Sequence, residues 1–109
     1  MLMTAGRWPE LLASSQEAFR RERKPGFVTD AYSTHAVLAA VMVGDEAVAR
    51  QQPFQAAPLY ATTFHSSAFL GALLRIPEAK RKRVLSILPK VIAERWKQSI
   101  KERPSFFKK

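Results

Sequence analysis

Seven prolines punctuate this chain of 109 residues, and they limit it to short elements. Proline has a fixed φ and no backbone N–H. It suits the first turn of a helix and disrupts the interior of one. Pro9, the Lys24-Pro25-Gly26 turn, Gly44, Pro53, Pro58, Pro77 and Pro104 therefore read as boundaries, and the intervals between them have the length of helices. No internal repeat and no low-complexity tract is present. The expected fold is all-α: a single domain over residues 1–109, built as a small bundle of about four helices.

The first predicted helix covers residues 9–23, with Pro9 in its first turn and Glu10 near the positive end of its dipole. Trp8, Leu11, Leu12, Ala18 and Phe19 share one face. The second covers residues 33–43. Asp30 or Ser33 caps its start, and Gly44 stands in the C′ position that favours a left-handed residue. Its β-branched content admits a short strand, but Ala36, Ala39 and Ala40 favour helix. Asp45 caps a continuation to about residue 51.

The third predicted helix covers residues 59–75. Leu59, Tyr60, Phe64, Phe69, Leu70, Leu73 and Leu74 point almost all round its axis, a pattern that belongs to a central helix. Residues 51–74 contain no Asp, Glu, Lys or Arg, long enough to raise the possibility of a membrane span. Pro53, Pro58 and the polar run Thr62, Thr63, His65, Ser66 and Ser67 favour a buried core helix over membrane contact. The small pairs Ser67 with Gly71 and Ala68 with Ala72 fit tight packing in that core better than a dimer motif.

The fourth predicted helix covers residues 77–103, is strongly basic, and contains Pro89. A kink or break is expected at residues 85–88. On its apolar side lie Leu85, Leu88, Ile92 and Trp96. On the other, Arg83, Lys90, Lys97 and Lys101 recur at spacings that align them along one continuous helix. Lys80, Arg81 and Lys82 thicken the cationic end. Arg95 projects toward the apolar face, where snorkelling or a change of phase at Pro89 explains it better than a buried pair with Asp30, Asp45 or Glu46.

Charge divides the chain unevenly. Residues 1–74 hold six basic and six acidic side chains, a neutral and hydrophobic body; residues 75–109 hold twelve basic and three acidic ones and so carry the entire net charge of +9. An ordinary surface mixes signs. A line of cations suits a phosphate backbone, and lysine suits contact by charge more than bidentate reading of bases. Four to six phosphate contacts on duplex DNA imply a slope of log affinity against log salt of roughly −4 to −5. The competing interpretation is the solvated face of a surface helix. The adjacent aromatics Phe106 and Phe107 suit docking on the chain's own core or on a partner.

Chemistry is narrowed by what is missing. The chain has no cysteine, so disulfides, thiolate metal sites and cysteine nucleophiles are excluded. Two histidines, His35 and His65, cannot form a three-His metal site. Their meeting across packed helices, with Asp30 orienting one, is disfavoured against roles in the core. No Gly-rich phosphate loop or nucleophile motif appears. Residues 1–24 lack the apolar core of a secretory signal, and Glu10, Glu17 and Glu22 disfavour an organellar presequence.

The sequence thus predicts an intracellular, non-catalytic protein without metal or cofactor. Lys80, Arg81, Lys82, Arg83, Lys90, Lys97 and Lys101 are its candidate contacts to nucleic acid or an acidic protein surface, alone, as a homo-oligomer or within a larger assembly. The alternative is an accessory protein-binding subunit of a multiprotein complex, membrane-associated or not, or a small inhibitor or adaptor.

Overall fold

A computed structural model describes residues 6–22, 27–63 and 67–102. Among them are seven helices and no strand: α1 (Trp8–Arg21), α2 (Phe27–Val43), α3 (Glu46–Arg50), α4 (Ala57–Thr63), α5 (Ser67–Arg75), α6 (Glu78–Ile87) and α7 (Lys90–Lys101). The all-helical class is as expected. Four predicted helices correspond to seven described ones: the continuation after Asp45 stands as a helix of its own, the basic helix is divided at Leu88 and Pro89, and the third predicted helix is described as α4 and α5 on either side of residues 64–66.

The centre belongs to α2, not to the strongly apolar segment 59–75. It packs against α1, α3, α4 and α6. Ala36, Val37, Leu38, Ala39, Ala40 and Val41 are all buried, as are Thr29, Asp30, Ser33 and Thr34. A helix buried on every side shows little amphipathic period. Its small residues allow neighbours to approach closely. The predicted start at residue 33 is six residues late: Asp30 and Ser33 lie inside the helix, and the Thr34 hydroxyl donates back to the Asp30 carbonyl at 2.8 Å.

The end of α2 follows the expected chemistry. Gly44 has φ of 86°. Its N–H reaches the Val41 carbonyl at 3.1 Å, and the Asp45 N–H reaches the Ala40 carbonyl at 2.8 Å. This is the paired closure of a Schellman motif, which a residue without Cβ permits. Asp45 then caps α3 by accepting from the Val48 N–H at 3.2 Å.

Of the uncharged stretch 51–74, the described residues contribute α4, of seven residues, and all but the last of the nine residues of α5. No helix among the described residues is long and apolar enough to cross a membrane. Tyr60 on α4 and Phe69, Leu70, Ala72 and Leu73 on α5 are buried in the same core cluster as α2. Trp96 of α7 lies at the heart of that cluster, its ring 4.8 Å from Phe69, and Phe69 in turn stacks on His35 at 5.8 Å.

The predicted basic helix 77–103 is two helices. Leu88 and Pro89 are extended, with ψ of 149° and 143°, and the chain resumes as α7 with the Ala93 N–H bonded to the Pro89 carbonyl at 2.9 Å. Proline cannot donate to the preceding turn, and it drives the residue before it out of helical geometry. The result is a full break.

Candidate nucleic-acid interface

Four successive cations on a helix cannot face one ligand. At about 100° per residue, Lys80, Arg81, Lys82 and Arg83 spread round most of the axis of α6. The structure uses three of them internally. The Lys80 ammonium donates to the Val41 carbonyl at 3.4 Å, in the last turn of α2. Arg81 is half-buried and donates to the Leu73 carbonyl at 3.2 Å, in the last turn of α5, with Glu78 3.8 Å away. Both sit at carbonyls near the negative ends of helix dipoles; the Leu73 carbonyl faces Pro77, which has no N–H to offer, while the Val41 carbonyl also accepts from Gly44. Arg83 turns to α3, where its Nη2 and Nε donate to one carboxylate oxygen of Glu46 at 2.5 and 3.1 Å. Arg50 holds the other Glu46 oxygen at 2.8 Å. Hydrogen bonds from Arg50 and Arg83 keep the Glu46 carboxyl below the usual carboxylate range.

The predicted line of Arg83, Lys90, Lys97 and Lys101 is therefore interrupted. Arg83 lies on the other side of the break at Pro89 and is committed to Glu46. The remaining three share α7. Lys90, Lys97 and Lys101 fall within an arc of about 40°, along about 16 Å of helix. All three are exposed, as is Lys82 on α6. Lys97 touches Glu94 at 3.5 Å, a surface pair of small weight. Lys82, Lys90 and Lys101 make no hydrogen bond or ion pair among the described residues. The opposite side of α7 buries Ile92, Ala93, Trp96 and Ser99, which fixes the orientation of the lysine face.

Arg95 lies at the edge of the buried side. It donates to the Ser99 hydroxyl at 2.6 Å, and its guanidinium lies 5.7 Å from the centre of the Trp96 ring. The carboxylates considered for it are used otherwise. Asp30, fully buried, accepts from the backbone N–H of Gln55 at 2.8 Å and of Ala56 at 2.7 Å. It caps the start of α4 from another helix, and its carboxylate does not orient His35. Burial of His35 lowers its pKa to about 4, so the ring is neutral in the fold. The Tyr60 phenol is pushed up to about 12, chiefly by burial. No cluster of three potential metal ligands occurs among the described residues. His65, Phe106 and Phe107 lie outside those residues.

Sequence spacing could not reveal that Glu46 and Asp30 act at a distance. Glu46 reaches Arg83 37 residues away besides its local partner Arg50, and the partners of Asp30 lie 25 and 26 residues away. No protein family, curated protein or solved structure matches the chain.

Proposed function

We propose that this chain is a non-catalytic protein that binds the phosphates of nucleic acid through α7, inside the cell and as one component of a larger assembly. The observation that supports it is the exposed row of Lys90, Lys97 and Lys101, held outward by the burial of Ile92, Ala93, Trp96 and Ser99 on the opposite face. Three ammonium groups on a narrow ridge repel one another, and a polyanion relieves that repulsion while releasing its own counterions. Lys82 adds a fourth available cation, while Lys80, Arg81 and Arg83 serve the fold. The contact set of this reading is thus smaller than the seven cations that the sequence nominates.

The test is a fluorescence anisotropy titration with duplex DNA and with structured RNA, from low to physiological salt. The wild-type chain binds at low salt. A variant with Lys90→Glu, Lys97→Glu and Lys101→Glu together keeps its helical circular dichroism and loses binding. Unchanged binding by the folded variant, or no binding of either nucleic acid by the wild type at low salt, refutes the reading.

A further inference from the structure

We infer that Arg50 and Arg83 form a binding site for a phosphate monoester, a site that the Glu46 carboxylate fills in the free protein. The site lies on α3 and α6 and does not involve the lysine row of α7.

Two guanidiniums from helices distant in sequence meet on one planar anion. Arg83 reaches from α6 with Nη2 and Nε to one Glu46 oxygen, and Arg50 of α3 donates through Nη2 to the other. The carboxylate marks where an anion sits between two forks, and the arginine fork matches carboxylate and phosphate alike. Hydrogen bonds from both arginines lower the Glu46 pKa, so the position favours a charged occupant. Each guanidinium has five N–H groups. Glu46 takes one from Arg50 and two from Arg83, and neither side chain has another partner among the described residues.

The arrangement is open to exchange. The Arg50 and Arg83 side chains are 58% and 56% exposed, and that of Glu46 is 34% exposed. A ligand therefore reaches both forks from solvent. Glu46, in the first turn of α3, can swing into water without disturbing the core. Ion pairs this exposed contribute little to stability, so the exchange costs the fold little.

Charge selects the ligand. Two arginines and one glutamate sum to +1. A phosphodiester carries the same charge as the carboxylate it would displace, so it gains nothing between the forks and leaves Glu46 beside a second anion. A phosphate monoester carries about −1.5 to −2 at pH 7 and three acceptor oxygens. It brings the two guanidiniums close to neutrality and offers an oxygen to each fork. Lys80, one turn before Arg83, and Asp45, adjoining Glu46, add opposite charges that offset each other.

The probes are methyl phosphate, dimethyl phosphate, and one DNA duplex made with either 5′-phosphate or 5′-hydroxyl ends. The full chain is titrated at fixed ionic strength. NMR signals of the α3 amides and of the Arg83 Nε–Hε group report the small esters, and anisotropy reports the duplexes. Methyl phosphate should shift these signals saturably, with dimethyl phosphate about tenfold weaker or worse. Glu46→Gln should tighten methyl phosphate binding about threefold or more, while Glu94→Gln on α7 leaves it within about twofold. Arg50→Gln with Arg83→Gln should abolish it without loss of helical circular dichroism. A preference of about threefold or more for the 5′-phosphate duplex, lost in the double arginine variant, identifies a nucleic-acid end as the source of the monoester. Equal affinity for the two duplexes, with methyl phosphate binding intact, identifies a free small monoester instead. No saturable shift with methyl phosphate, equal binding of the two esters, or a Glu46→Gln protein that binds methyl phosphate no tighter than wild type overturns the inference. None of these three results bears on nucleic-acid binding by α7.

Discussion

Asparagine at position 30 tests how a buried charge specifies this fold. Both Asp30 oxygens are occupied, accepting from Gln55 N at 2.8 Å and Ala56 N at 2.7 Å. Each is a charge-assisted bond, worth about 1.5–3 kcal/mol net. Asp30→Asn preserves shape and one acceptor oxygen. The amide nitrogen that replaces the other oxygen faces an N–H, so one bond is lost and the surviving bond loses its charge. The expected cost is about 2–3 kcal/mol, which in a domain of this size lowers Tm by roughly 10–20 °C. Urea unfolding followed by circular dichroism measures the first quantity. Amide exchange at Gln55, Ala56 and Tyr60 locates it, because α4 should fray before α2. A loss below about 0.5 kcal/mol, or one with uniform exchange, would show that the carboxylate is not the cap that sets α4 on α2.

Three further outcomes follow from single groups. His35 is neutral in the fold with its pKa near 4, whereas the unfolded chain takes up a proton near 6.5. Stability should therefore be constant above that value and fall as pH drops toward 4, by about 2 kcal/mol at pH 5, a loss that His35→Phe removes in urea titrations; equal slopes for the two proteins contradict this. Gly44→Ala meets no atom within 4 Å of the new Cβ, so its whole cost is the left-handed backbone at φ +86°. That cost is about 1–2 kcal/mol in the same assay, and a neutral result would mean that the turn changes conformation. Glu46→Gln should change stability by less than about 1 kcal/mol, since its partners are surface arginines, but it should strengthen duplex binding by freeing Arg83 and Arg50; weaker binding would argue against their competition for the same phosphates.

Helices and their ends were legible where the chemistry is local. Gly44 and Asp45 appear in the sequence as a stop followed by a cap, and the structure uses them so. Pro89 marked the break, though its completeness depends on Leu88 adopting extended geometry as well. The central helix was misassigned because periodicity detects a face, and α2 is buried on all sides by small residues that carry little pattern. Asp30 and Ser33 resembled caps for the same reason: their polarity suggests a boundary, while burial and distant partners allow them in a helix interior. The cationic cluster of residues 80–83 showed the same limit. Composition counts four charges, but only the packing of α2, α3 and α5 round α6 reveals that Lys80, Arg81 and Arg83 already have acceptors. The lysines of α7 were readable because the apolar residues that orient them lie on the same short helix.

The salt dependence of duplex binding tests the central claim most directly. If Lys90, Lys97 and Lys101 each neutralise one phosphate, replacing all three with glutamine should make the slope of log affinity against log salt shallower by about 2.7, since each contact contributes about 0.9. The wild-type chain should show the full slope and the triple variant only the remainder supplied by other cations, with unfolding transitions that coincide. Identical slopes in two equally stable proteins would mean that the lysine row of α7 does not touch phosphate, and the proposed function would fall with it.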